Sequence, residues 1–280
     1  MQKKIAVIND IAGYGRCAMT VLLPIISYMG VQACPLLTSI FSSNTAFPDF
    51  FKDDYTDRME AYIESWRKIG LQNQFDGIAT GYLGSVRQIE IVRRFVKEFS
   101  RDDTLVIVDP VMGDHGRLYS AYTVELCTEL RKLVALADMI TPNLTESCYL
   151  ADIPYKETGW KKKELFAMAE RLSSMGPSHV VITGILQGEY IANYVYVKTG
   201  SENPSAQLIR VHRAGEERCS TGDVFSAVVA ADAVNGVPFD KSVRKASRFV
   251  KQCIEKALEL GTPPAEGVPY EAVLHRLKRG

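Results

Sequence analysis

The segment Glu217-Arg218-Cys219-Ser220-Thr221-Gly222-Asp223 runs straight into the apolar stretch Val224-Phe225-Ser226-Ala227-Val228-Val229-Ala230. Small residues and one carboxylate thus stand where a helix begins. First-turn N–H groups of a helix have no intrahelical partner and lie at the positive end of its dipole. Backbone donors at Thr221 and Gly222, with Ser220 just before them, could hold a phosphate, and Gly222 has no side chain to keep it away. Asp223, beside that anion site, has the chemistry of a general base taking a proton from an attacking hydroxyl. The plainer alternative is that Ser220, Thr221 or Asp223 caps the helix.

A second group follows the most hydrophobic run, Leu105-Val106-Ile107-Val108, which closes into Asp109-Pro110-Val111-Met112-Gly113-Asp114-His115-Gly116. Asp109 is expected at the end of a strand and Asp114 in a flexible loop after it. Thr141-Pro142-Asn143-Leu144-Thr145-Glu146 closes the next short strand, with Glu146 in the first turns of the following helix. Asp114 and Glu146 could hold Mg²⁺ directly or through water, since magnesium takes a few carboxylates and completes its shell with water and substrate phosphates. Each residue also has an ordinary structural use: Asn143 and Thr145 as helix caps, Glu146 as a favourable charge at a helix start. Taken together, acids at successive strand ends plus an anion-binding turn favour metal-assisted phosphoryl transfer.

A third group lies in loops expected after three other strands: Asp10 to Gly15, Ser42 to Phe47, and Gly81-Tyr82-Leu83-Gly84-Ser85. Hydroxyls, an amide and aromatic rings there suit a small, flat, polar substrate. Tyr14 and Tyr82 serve equally well as packing residues or as stacking surfaces. One competing motif, Gly13-Tyr14-Gly15-Arg16-Cys17-Ala18, fits the dinucleotide fingerprint G-x-G-x-x-A. It is set aside because the first strand is expected to stop at Ile8, four residues too early, and because the second strand carries no acid to hold a ribose.

The elements that must position these groups alternate in type. Strands are expected over Ile5–Ile8, Val31–Thr38, Gly77–Thr80, Leu105–Val108, Met139–Ile140 and Val180–Ile182, the last ending at Thr183-Gly184. Helices are expected over 16–29, 54–69, 86–99, 121–135, 144–150, 161–174, 222–234 and 240–258, with an antiparallel excursion over 190–197 and 207–212. This β–α alternation predicts an α/β fold, a three-layer α/β/α sandwich with a mostly parallel central sheet. Ligands in such a fold bind beyond the carboxyl ends of the strands. No repeat, low-complexity tract or linker interrupts the chain, so residues 1–280 are expected to form one domain.

With 280 residues, 46% of them hydrophobic, the chain can bury a large core. Lys+Arg and Asp+Glu both number 33 and no basic block stands out, which argues against nucleic acid or an anionic membrane as partner. The apolar run at the N-terminus is cut by Asn9 and Asp10, too early for a signal peptide. Six dispersed cysteines without a C-x-x-C pair point to reduced thiols and a cytoplasmic location. Cys219 is expected to be structural, although a helix N-terminus can lower a thiol's pKa.

These motifs resemble the ribokinase-like superfamily and, within it, the pyridoxal kinases, from Lys4 to about Leu260. The resemblance is carried by Val108-Asp109-Pro110-Val111-Met112-Gly113-Asp114, Ile140-Thr141-Pro142-Asn143-Leu144-Thr145-Glu146 and Thr221-Gly222-Asp223-Val224-Phe225, with Gly81 to Ser85 looking like the pyridoxal kinase branch. It implies an ATP-dependent kinase acting on the hydroxymethyl group of pyridoxal, pyridoxine or pyridoxamine. Asp223 would be the base, and Thr221 and Gly222 would supply the anion hole. Asp114 and Glu146 would lie around Mg²⁺-ATP. Asp109, Thr141, Thr183 and the Ser220 turn would lie near the nucleotide phosphates and a monovalent cation such as K⁺. Asp10, Thr45 and Tyr82 would lie at the pyridine pocket. It further implies a cytosolic homodimer. The chain departs from the family pattern at Ser220, usually glycine, at Asp10, commonly serine, and at Ser43-Asn44, usually Asn-His. The alternatives are a hydroxymethylpyrimidine kinase with the same chemistry, or a non-catalytic vitamin or nucleotide sensor.

Overall fold

The computed structural model describes residues 2–120, 122–198, 200 and 203–277. Its strands are β1 (Lys4–Ala12), β2 (Gln32–Phe41), β3 (Lys52–Asp54), β4 (Gly77–Thr80), β5 (Leu105–Val108), β6 (Gly113–Asp114), β7 (Arg117–Leu118), β8 (Met139–Ile140), β9 (His179–Gln187), β10 (Tyr190–Val197) and β11 (Ser205–His212). Its helices are α1 (Met19–Tyr28), α2 (Thr56–Lys68), α3 (Val86–Phe99), α4 (Val124–Val134), α5 (Leu144–Ala151), α6 (Lys162–Ser173), α7 (Thr221–Val234) and α8 (Phe239–Glu259). Nine strands form one sheet in the order β11-β10-β9-β8-β5-β4-β1-β2-β3, while β6 and β7 pair as a separate small hairpin. The run from β2 through β1, β4, β5 and β8 to β9 is parallel throughout. Only the flanks β3, β10 and β11 pair antiparallel.

Central strands of a covered parallel sheet are apolar on both sides, and β1 shows why. Ala6 and Ile8 pack into a cluster with α2 to α6, whereas Ile5 and Val7 pack into another with α1, α7 and α8. The expected three layers are therefore present. Helix α3 turns Ile89, Val92, Phe95, Val96 and Phe99 inward and starts where the Ser85 side chain accepts the N–H of Gln88. Helix α7 is different, because every residue from Val224 to Val234 is buried. A helix apolar on all sides belongs in the interior, so α7 aims its first turn at the sheet's rim from within the core.

Several boundaries differ from expectation, and each difference bears on the site. Strand β1 runs on to Ala12, so Asn9 and Asp10 lie inside it rather than beyond it. Polar residues were read as the strand's end, but the Asn9 side chain accepts the N–H groups of Asp10 and Tyr82, giving these donors partners at the rim. Gly13 therefore directly follows the strand, and spacing no longer tells against the dinucleotide fingerprint. Its loop does so instead, because Gly13 and Tyr14 donate to Phe41 and Ser42 while α1 starts only at Met19. Strand β2 extends to Phe41, and the edge strand β3 was not expected at all. Asp114 lies in the β6–β7 hairpin, not in a flexible loop. Thr183 and Gly184 do not end β9, since the strand passes through them to Gln187. The register with β10 slips between Ala192 and Tyr194, and Gly184 at φ +73° donates to the intervening Asn193. The fourth expected helix starts at Val124, and its first expected residue, Ala121, lies outside the described residues. No helix among the described residues is long and apolar enough to cross a membrane.

Candidate active site

A cleft of about 770 Å³ opens at the carboxyl rim of the parallel strands, a size suited to a nucleotide. Asp109, Asp114, Thr141, Glu146, Thr183, Ser220, Thr221, Gly222 and Asp223 all line it. Asp10, Thr45 and Tyr82 do not. The residues expected around phosphate are thus gathered from four separate chain segments, while those expected around the second substrate lie to one side.

The first turn of α7 has no side-chain cap. Thr221 Oγ1 donates to the Arg218 carbonyl at 3.3 Å, and Asp223 Oδ2 accepts the N–H of Ala18, at the start of α1, at 2.9 Å. Capping by Ser220, Thr221 or Asp223 is therefore not what the structure shows. A Cβ at Gly222 would meet no atom within 4 Å, so its missing side chain leaves open space for a ligand. Ser220 precedes the helix at φ +70°, a left-handed conformation that favours glycine. Its hydroxyl is buried without a partner, and a Cβ at Gly267 would lie 2.7 Å from it. Its hydroxyl is thus closed off from solvent.

Carboxylates crowd this rim with little to neutralise them. Burial pushes Asp223 up to about 6, against the pull of the Ala18 N–H. Burial also pushes Asp109 up to about 7, with the charge of Asp223 adding to it and the hydroxyls of Ser226 and Thr141 opposing it. Ser226 Oγ donates to Asp109 Oδ2 at 2.6 Å and sits 3.3 Å from Thr141 Oγ1. Ser226 lies three residues after Asp223 on α7 and so shares its face. That helical spacing is the signal by which the sequence marks it. Thr183 anchors β9 to the next segment through its N–H, which donates to the Pro142 carbonyl at 2.8 Å.

Glu146 is held more tightly than expected. It forms a capping box with Asn143: Glu146 N–H donates to Asn143 Oδ1 at 2.9 Å, and Asn143 N–H donates to Glu146 Oε2 at 2.8 Å. Its other oxygen accepts the N–H of Met112 at 3.2 Å. Burial and the charges of Asp109 and Asp114 raise Glu146 well above the usual carboxylate range. Asp114 is exposed, and one of its oxygens takes the N–H of His115. Among the described residues no group of three or more His, Cys, Asp or Glu side chains could hold a metal ion. This donor set does not make a protein cage for a cation. It does fit magnesium whose remaining ligands are water and phosphate oxygens, because among the described residues no cation stands against the buried Asp109, Glu146 and Asp223.

The side of the rim toward β3 is built differently. Asp10 is buried at the end of β1 and is raised to about 7, chiefly by burial and then by Asp223, with Lys52 opposing. Tyr82 lies edge-on to Phe41 and to Tyr122, each at 6.0 Å between ring centroids. Lys52 on β3 donates to Tyr82 Oη at 3.1 Å. Sequence reasoning missed Lys52 because a three-residue edge strand of Lys-Asp-Asp has no apolar signal. Thr45 sits exposed in a turn, and its buried neighbour Asn44 is the residue that organises the loop, bonding Ala46 and Ala265. Tyr14 is exposed and donates to Glu266. Cys219, like all the described cysteines, is free.

The chain matches the sequence family described as phosphomethylpyrimidine kinase over residues 23–267. It is similar to a Bacteroides thetaiotaomicron protein, provisionally named a phosphomethylpyrimidine kinase and crystallised with pyridoxal. Identity there is 38%, with a TM-score of 0.92, 99% of this chain and 96% of that one being covered. It is also similar to the pyridoxine/pyridoxal/pyridoxamine kinase of Bordetella avium, at 28% identity over 86% of this chain and 81% of that protein. The hydroxymethylpyrimidine/phosphomethylpyrimidine kinase of Bacillus subtilis shares 28% identity over 67% of this chain and 66% of its own length. With a match spanning most of its length and a site arranged for phosphoryl transfer, the chain belongs to the phosphomethylpyrimidine kinase family of ribokinase-like enzymes, alongside the pyridoxal kinases its motifs resemble.

Proposed function

We propose that this enzyme is an ATP-dependent kinase that phosphorylates the 5′-hydroxymethyl group of pyridoxal, pyridoxine or pyridoxamine. The observation that carries this is the uncapped first turn of α7 opening onto the cleft, with Asp223 beside it. In the reaction the alcohol oxygen bonds to the γ-phosphorus, the bond to the ADP oxygen breaks, and the alcohol proton passes to Asp223. A carboxyl near 6 is mostly ionised at neutral pH yet more basic than a free aspartate, which suits a general base. Backbone N–H groups of Thr221 and Gly222 face the place where charge builds on the transferring phosphoryl group. Asp114 and Glu146 would hold Mg²⁺ through water and phosphate oxygens, and the ion when bound offsets phosphate charge. Asp109, fixed by Ser226, and Thr141 complete the polar floor.

Support for a B6 vitamer comes from the pyridoxal bound by the Bacteroides thetaiotaomicron relative and from the Bordetella avium kinase. The Bacillus subtilis relative supports a second reading, phosphorylation of hydroxymethylpyrimidine, another flat alcohol that would use the same base and cradle. Coupled ADP-release assays with pyridoxal, pyridoxine, pyridoxamine and hydroxymethylpyrimidine test both. Turnover restricted to the pyrimidine would replace the vitamin reading. Absence of ADP release with every alcohol would leave a non-catalytic sensor.

A further inference from the structure

We propose that Lys52 selects the second substrate, binding the 3-oxygen of a hydroxypyridine as its anion and so favouring that ring over an aminopyrimidine. This rests on the B6-vitamer reading and goes further, naming the residue and the ring atom that decide the choice.

Phe41 pairs with Ala12 of β1 on one side and with Lys52 of β3 on the other, so Lys52 stands in a row across the sheet from the end of the strand that carries Asp10. Lys52 is on the exposed edge, and its ammonium is folded over aromatic rings. It lies 5.6 Å from the centroid of Phe41 and 5.5 Å from that of Tyr82, with a hydrogen bond to Tyr82 Oη. Among the described residues Lys52 makes no salt bridge. Asp54, two residues on, is already engaged by Thr56 and Gln88.

A cation resting on two aromatic faces without an ion-pair partner is poised for an anionic acceptor on a flat ring. Asp223 lines a small cavity together with Asn9 and Gly81, Asn9 accepts the N–H of Tyr82, and Lys52 bonds the Tyr82 hydroxyl, so base and ammonium flank the same short stretch of the rim. On a pyridoxal ring the 5-hydroxymethyl group and the 3-oxygen flank C4, meta to one another. A ring with its alcohol at Asp223 and its 3-edge turned toward β3 sets its ionisable oxygen at Lys52. Hydroxymethylpyrimidine has at the corresponding ring position an uncharged ring nitrogen, an acceptor without an ionised oxygen, which gains less from an ammonium than an anion does.

The test uses pyridoxine and 3-deoxypyridoxine, two alcohols that differ only in that oxygen, with the Lys52→Met and Lys52→Arg variants. Lys52→Met is expected to raise KM for pyridoxine about 10–100-fold, the worth of one charge-assisted hydrogen bond, with kcat and KM for ATP little changed. KM for 3-deoxypyridoxine should stay as in the wild type, and Lys52→Arg should recover most of the loss. Bound pyridoxine should show the absorbance of the ionised 3-oxygen in wild type and of the neutral phenol in Lys52→Met. Equal losses on both alcohols, or none on pyridoxine, would overturn the assignment. Wild-type enzyme inert toward every hydroxypyridine but active on hydroxymethylpyrimidine would instead overturn the vitamin reading beneath it.

Discussion

The proposed phosphate side and the proposed alcohol side of the rim are built from different materials. The phosphate side uses backbone: the bare first turn of α7, the capping box of α5, and N–H donors from Ala18 and Met112. Such parts are fixed by helix and strand geometry, because main-chain donors do not depend on the side chain they carry. The alcohol side uses side chains on strand ends, an edge strand and loops, among them Lys52, Tyr82, Phe41 and Asn44. A scaffold made this way can keep its chemistry while changing the ring it accepts. The mixed names among its relatives, vitamin kinases and pyrimidine kinases, fit that division.

The largest effect should come from the carboxylate at the phosphate side. Asp223→Asn is expected to lower kcat by about 10²–10⁴ while leaving ATP binding nearly intact, as measured by steady-state turnover and nucleotide titration. Wild-type turnover in that variant would remove the base. Gly222→Ala comes next. Since a methyl there meets no protein atom within 4 Å, the fold should be untouched, and a loss of about 10–100-fold in kcat/KM for ATP would report the phosphate itself. An unchanged kcat/KM would place the phosphate elsewhere.

Acidity separates the two sides more finely. Ionisation of Asp223 near 6 predicts that kcat/KM falls about tenfold per pH unit below about 6, in a full pH–rate profile. Stability should move the opposite way. Asp10 and Asp109 near 7 and Asp223 near 6 all lie above the ordinary value of 3.8, so the folded state holds extra protons over that interval. Without ligands, the protein should lose stability as pH rises from about 4 to about 7, and Asp10→Asn should flatten that slope in thermal melts. A melting temperature that rises over this interval would refute the clustered-charge account. The smallest effect is expected from Ser220→Gly, which relieves the left-handed backbone and removes a buried, unpartnered hydroxyl. A gain of about 0.5–1 kcal/mol in denaturant unfolding, with activity retained, is expected.

The same division decides what the sequence could reveal. Apolar runs such as Leu105–Val108 and the amphipathic face of Val86–Phe99 announce their own structure, and both elements appear where periodicity puts them. Motif residues at strand ends, Asp109 and Thr141, and at the start of α7, Asp223, converge on one cleft as that pattern requires. What periodicity could not show is where a strand continues on polar residues, as β1 does through Asn9 and Asp10, or passes through a bulge, as β9 does at Gly184. Lys52 was invisible for a related reason, because a short polar edge strand looks like a loop until its partner is known.

One feature of the phosphate side reaches beyond it. Asp223 takes its hydrogen bond not from its own helix but from Ala18, whose backbone sits at φ 48° just ahead of α1. The tight turn before α1 thus opposes the effect of burial on a carboxyl far away in sequence. If Asp223 is the base proposed above, relaxing that turn, as Ala18→Gly would, shifts the working pH from outside the cleft's own segments.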